Sequence, residues 1–344
     1  MMSVPVPRYN VPSAGLELLD IALLADGKAD GTLKYMIDYS QKADYEMGYI
    51  KRHVKNEGLR KEIQEIFAGK CPIGVKPVNA LHKIENWELP EVPAKEIANK
   101  LLRAMQSTSR HYLSLNSIPT TYDAADSPVL ILGENARYVD EVELKNGAIV
   151  DIPAAQILQS RGIDVGLISA EDGDFTAEHY IADQDTIHGI GDCALKKICC
   201  KESAQVLSTF LPGEAPASYL YENAQGQRFF VVAQDAFYSE PNINYYNNYY
   251  RQAQMVEAAE YVGKKKLPAV CLKNPQLYML ASSNEGATAV LMLNIFKDEM
   301  LDPVVQLDKC YSQIRFVNCS GHMTGDKVYL THIPAFGAAA FEVK

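Results

Sequence analysis

The sequence predicts a chain of α/β plus all-β class: a partial (β/α) barrel remnant, an α/β domain with a largely parallel sheet, and a C-terminal antiparallel β-sandwich. Three observations carry this reading. Residues 31–39 read as a short strand, and residues 45–67 as the long amphipathic helix that follows it. Residues 148–168 read as strand, helix and strand, the βαβ pattern of a parallel sheet. Residues 277–344 hold only short apolar runs separated by turn residues, the pattern of a sandwich.

The opening unit ends its strand on Asp38 and Tyr39, and a helix follows at once. A (β/α) barrel presents its active-site residues in this way. A barrel takes roughly 200 residues or more, and far fewer precede the next change of pattern. The segment is therefore expected to be a truncated piece of a larger enzyme or a docking arm. Asp38, Tyr39, Tyr45, Glu46 and Tyr49 are its candidate site residues, since a carboxylate and phenols at a barrel mouth suit a hydroxyl-rich ligand. Hydrolysis of a glycosidic bond needs two carboxyl groups flanking it, and no second barrel strand supplies the partner. Glu46 also suits a helix N-terminus by charge alone.

The elements follow in order. Residues 16–26 form an apolar helical patch. In the helix over 45–67, Met47, Ile50 and Val54 recur at helical spacing, as do Leu59, Ile63 and Ile66, with a kink or break at Gly58. Residues 69–93 hold four prolines and one strand-like stretch, read as the exit from the first unit and a linker. Trp87 lies there and is read as an anchor between domains. Residues 94–106 form a helix with Ile97, Leu101, Leu102 and Met105 inward. Residues 129–132 and 148–150 are buried strands. Asp151 before Pro153 is a helix-start signal, Gly162 closes that helix, and residues 164–168 are a third strand. Residues 171–215 are a β-rich excursion. Residues 219–222 and 228–232 form a hairpin, and a helix spans 251–262. The predicted boundaries are a barrel remnant over 1–75, a linker over 76–93, an α/β domain over 94–270 and a β-sandwich over 271–344.

Composition narrows the function. The chain has 344 residues and a net charge of −10, which argues against a nucleic-acid partner because neutralising phosphates needs a basic face. No run of some 18 apolar residues is present to span a membrane, and no signal peptide is visible at the start. The seven cysteines are irregularly spaced, which fits reduced thiols and a cytoplasmic protein better than a disulfide framework.

Candidate chemistry is sparse. A thiol or serine hydrolase of α/β type needs its nucleophile on a glycine-flanked strand-to-helix turn. No G-x-C-x-G or G-x-S-x-G occurs, and Gly191-Asp192-Cys193 is the nearest approach. The adjacent Cys199 and Cys200 are no C-x-x-C pair. His179, His188, Cys193 and Cys199 match no standard zinc spacing, and neither metal nor cofactor is expected. Residues 133–136 follow the first buried strand, where α/β ligands sit, but a single glycine makes no phosphate fingerprint, and a turn held by Asn135 is the plainer reading. Residues 242–251 are rich in tyrosine and asparagine. Tyr245, Tyr246 and Tyr249 could stack on sugar rings while the amides bind hydroxyls. The same composition suits a loop packed between subunits.

Four stretches together resemble a family. DGTLKYMIDY with YEMGYIKRH looks like a closing barrel strand and helix. NGAIVDIPAAQILQSRG with DVGL resembles a segment of a glutamine-amidotransferase-like domain. Tyr250-Arg251-Gln252 leading to Lys266-Leu267-Pro268-Ala269 looks like the end of that domain. ATAVLMLNIFKDEMLDPV and IPAFGAAAFEV look like a terminal sandwich. The arrangement resembles the C-terminal part of bacterial glycoside hydrolases related to the β-galactosidases that carry an amidotransferase-like trimerisation domain. The resemblance implies a non-catalytic portion of a carbohydrate-active enzyme, serving assembly and active-site shaping, with a carbohydrate ligand and homo-oligomers as partners. The family's two catalytic glutamates would lie on strands preceding Met1, so no catalytic residue is carried over. Its α/β domain has lost the thiol nucleophile, in keeping with the missing elbow. The rival readings are an independent thiol amidotransferase or hydrolase and a free-standing carbohydrate-binding protein.

Overall fold

The computed structural model describes residues 13–27, 47–80, 93, 109–122, 125–191, 193–236, 242–274 and 277–344. The predicted strand over 31–39, Trp87 and the helix over 94–106 lie outside the described residues. The chain divides into two units, one formed by 1–72 with 277–344 and the other by 73–276. Among the described residues no helix is long and apolar enough to cross a membrane.

The N-terminal part gives three helices: α1 (Ser13–Asp26), α2 (Met47–Lys55) and α3 (Glu57–Phe67). The short strand β1 (Cys71–Pro72) follows. Leu18, Ile21 and Ala25 of α1 and Ile63, Ile66 and Phe67 of α3 are buried at helical spacing. The break falls at Asn56, which starts α3, two residues before Gly58. The predicted inner face of α2 is not one: Ile50 and Val54 are exposed. Periodicity marks a stripe, but only a neighbouring element buries it.

The second unit is built on an eight-stranded sheet. Its strands are β2 (Lys76–Pro77), β3 (Val129–Ile131), β4 (Ala148–Val150), β6 (Ala177–Tyr180), β7 (Asp185–His188), β9 (Gln205–Leu211), β10 (Ala215–Glu222) and β11 (Arg228–Val232). The spatial order is β2-β3-β4-β11-β10-β9-β6-β7. The first four strands run parallel and the rest pair antiparallel. The sheet is thus mixed rather than largely parallel. The third strand of the expected βαβ unit also differs. β5 (Leu167–Asp172) pairs antiparallel with β8 (Lys196–Cys200) in a separate two-stranded sheet, and the parallel neighbours of β4 are β3 and β11. A short helix returning from one strand leads to a parallel neighbour only if that edge is free, and both edges of β4 are taken. The expected hairpin is present: Glu222 faces Arg228, and Asn223 Oδ1 accepts from the N–H groups of Gln225 and Gln227 to close the turn. Helix α4 (Ile152–Ser160) follows β4. Helix α5 (Tyr249–Gly263) starts on Asn248, whose side chain accepts from the Arg251 N–H at 2.8 Å. β12 (Ala269–Leu272) ends the unit.

The C-terminal region is β-rich, as expected. β13 (Tyr278–Ser283), β14 (Thr288–Asn294), β15 (Met300–Leu301), β16 (Val304–Leu307), β17 (Ile314–Val317), β18 (Gly321–Thr324), β19 (Lys327–Leu330), β20 (His332–Ile333) and β21 (Gly337–Val343) follow in turn. One antiparallel sheet has the order β1-β13-β14-β21-β17, and β16, β19 and β18 pair antiparallel in another. Leu280, Ala289, Leu291, Leu293, Ala338 and Ala340 of the five-stranded sheet form one apolar cluster with the buried residues of α1 and α3. Val290 and Met292, on the opposite side of β14, are buried too. A strand covered on both sides reads as an unbroken apolar run, and β14 is one. Of the predicted helix over 45–67, the α3 residues Ile63, Ile66 and Phe67 are covered within their own unit, whereas Ile50 and Val54 of α2 are exposed.

Candidate functional site

In an open α/β sheet, ligands bind beyond the carboxyl ends of the parallel strands. In this protein Ile131, Val150 and Val231 are in register across β3, β4 and β11, so the chain leaves all three strands at one end. Asp151 follows β4 there and starts α4. Its carboxyl is buried and accepts three backbone N–H groups: Gly133 at 2.9 Å and Ala154 at 3.0 Å on Oδ1, and Ala236 at 3.2 Å on Oδ2. Burial pushes Asp151 up to about 7 against the pull of the Gly133 and Ala154 N–H groups. Its backbone φ of −87° is ordinary extended geometry, not the strained turn of a nucleophile elbow.

Beside it lies a buried hydrogen-bonded cluster. The Tyr112 hydroxyl donates to Gln234 Oε1, and Gln234 Nε2 donates to the Cys193 carbonyl at 3.0 Å and to the Tyr246 hydroxyl at 2.6 Å. The His111 ring stacks on Tyr246 with centroids 4.7 Å apart. A second cluster centres on Arg251 and Glu178, an ion pair at 2.5 Å with both side chains fully buried. Arg251 also donates to Gln254 Oε1 and to the Tyr245 carbonyl, and lies 4.5 Å over the Tyr245 ring. Ser208 donates to the other Glu178 oxygen at 2.6 Å, and Gln254 Nε2 donates to Ser208 and Ser218. Burial pulls the guanidinium pKa down, but Glu178 and the surrounding phenols outweigh that and hold it above its ordinary value. The guanidinium therefore stays charged near neutrality.

The residues expected from the sequence fall in several places. Asp38, Tyr39, Tyr45 and Glu46 lie outside the described residues, as does the side chain of Tyr49. Tyr245 and Tyr246 are buried, edge to face with each other at 5.0 Å. Tyr249 is 62% exposed. Of the three candidate tyrosines, Tyr249 is therefore the one exposed at the surface, while Tyr245 and Tyr246 line the buried clusters. Cys193 is buried beside a cavity of about 240 Å³ lined by Asp172, Asp174, Phe175, Gly191 and Leu195. It leads into β8 rather than a helix, so no nucleophile elbow forms. Cys199 and Cys200 are successive residues of β8 and point to opposite faces. His179 Nδ1 pairs with its cross-strand neighbour Thr186 Oγ1 at 3.1 Å. Among the described residues no group of three or more His, Cys, Asp or Glu side chains could hold a metal ion. Asn135 Nδ2 donates to the Leu132 carbonyl and Oδ1 accepts from the Ala80 N–H, so this loop is held by Asn135.

Arg251, Glu178 and Gln234 have no local sequence signal for their pairing, because Glu178 stands 73 residues from Arg251, and Cys193 and Tyr112 stand 41 and 122 residues from Gln234. Asp151 has one, the helix start before Pro153, which shows one of its three donors.

No protein-family model matches the sequence, and no curated protein matches it. Solved structures do resemble the fold. The β-galactosidase from Rahnella sp. R3 superposes with a TM-score of 0.55 at 13% identity, over 98% of this chain and 52% of that one. The α-L-fucosidase isoenzyme 2 from Paenibacillus thiaminolyticus gives 0.53 at 9% identity, over 90% and 53%. The β-galactosidase from Bacillus circulans sp. alkalophilus gives 0.50 at 11% identity, over 86% and 45%. The chain thus spans about half the length of the structures it matches, and its fold is similar to that part of them.

Proposed function

We propose that this chain is a non-catalytic, C-terminal portion of a carbohydrate-active enzyme, serving assembly and the shaping of a neighbouring active site. The observation that carries the reading is the likeness of nearly the whole chain to about half of the Rahnella β-galactosidase and of the Paenibacillus fucosidase. Those two proteins are glycoside hydrolases by name, and the sequence resemblance points the same way. In this reading the unit formed by 73–276 is the amidotransferase-like domain without its nucleophile. The buried Cys193, which leads into a strand, supports that, and so does Asp151 with its relaxed turn. The antiparallel sheets after residue 277 are the terminal sandwich. The barrel remnant rests on residues 31–39, with Asp38 and Tyr39, and on Tyr45. Tyr249 is the sugar-contact residue whose ring is free to stack.

Sizing and glycan binding test this. The reading expects light scattering to return a multiple of the 38.1 kDa chain mass. A single-chain mass throughout the micromolar range would contradict the assembly role. Glycan binding that is lost in Tyr249→Ala, by a chain that stays monomeric, would favour a free-standing carbohydrate-binding protein.

A further inference from the structure

We draw no further inference here: the strongest candidate, the cavity of about 240 Å³ between the end of β5 and the start of β8, lined by Asp172, Asp174, Phe175 and Cys193, carries nothing because its chemistry-bearing groups are one buried thiol and two exposed aspartates, Asp172 already paired with Lys196 at 2.6 Å, and nothing else among the described residues points to a ligand there.

Discussion

The two units differ in how far their buried polar side chains are gathered into one network. In the unit formed by 73–276, Arg251, Glu178, Gln254, Ser208 and Ser218 form one buried network, and Asp151 and Gln234 are tied into backbone groups nearby. In the other unit, α1 and α3 meet the sheet through an apolar layer of Leu18, Ile21, Ile63, Ile66, Leu280, Leu291 and their neighbours. Its charged pairs run from exposed ones, Arg315 with Glu65 and Lys61 with Glu57, to isolated buried ones, Lys70 with Glu342 and Glu17 with Arg52 and Arg60. Apolar contact is non-directional and tolerates small shifts. A buried hydrogen-bonded ion pair accepts one geometry and penalises the rest. Single polar substitutions should therefore cost most in the Arg251 network of the larger unit, and trimming the apolar layer of the smaller one should lower its stability by degrees.

The largest expected effect is at the ion pair. Arg251→Ala leaves the Glu178 carboxylate buried without its partner, which costs about 3–5 kcal/mol. Urea unfolding is expected to show the larger unit melting first. A loss below about 1 kcal/mol would remove the contrast between the units. The next effect belongs to Asp151 and depends on pH. Its folded pKa of about 7 lies above the ordinary aspartate value of 3.8. Between those values the folded state holds a proton that the unfolded state has released. This contribution is fully present below about pH 4 and is lost as pH rises toward 7. Three pKa units correspond to on the order of 4 kcal/mol. The difference in stability between the unsubstituted chain and Asp151→Asn should follow that slope, and a flat difference from pH 4 to 7 would refute it. Smaller again is Ile66→Val in the apolar layer, expected to cost about 0.5–1.5 kcal/mol and to leave the larger unit unchanged. Smallest is Glu57→Gln, which removes a solvent-exposed pair with Lys61 and should leave the unfolding midpoint where it is.

Elements governed by neighbours in the chain were legible in the sequence, and pairings were not. Asp151 before Pro153 marks the start of α4, the buried runs at 129–131 and 148–150 are strands, and the turn at Asn223 closes its hairpin. Each depends on capping, alternation or turn chemistry within a few residues. The partner of β5 is β8, some thirty residues on, and nothing in either strand specifies the other. The unbroken run in β14 does carry a signal of burial on both faces, which an ordinary sandwich strand with one polar side lacks. The candidate site shows the same limit. Tyr245, Tyr246 and Tyr249 have the same composition around them, yet two are buried and one is exposed. The difference is set by Arg251 and His111 packed against the first two, and Arg251 is fixed in turn by Glu178, 73 residues away.

The measurement that tests the central claim most directly is turnover of aryl glycosides, β-galactosides first, by the purified chain. A non-catalytic portion of a carbohydrate-active enzyme is expected to give no hydrolysis above the uncatalysed rate at any pH between about 4 and 8. Turnover that is abolished by substituting a single carboxylate, Asp38→Asn for example, would show a catalytic centre on this chain and contradict the account.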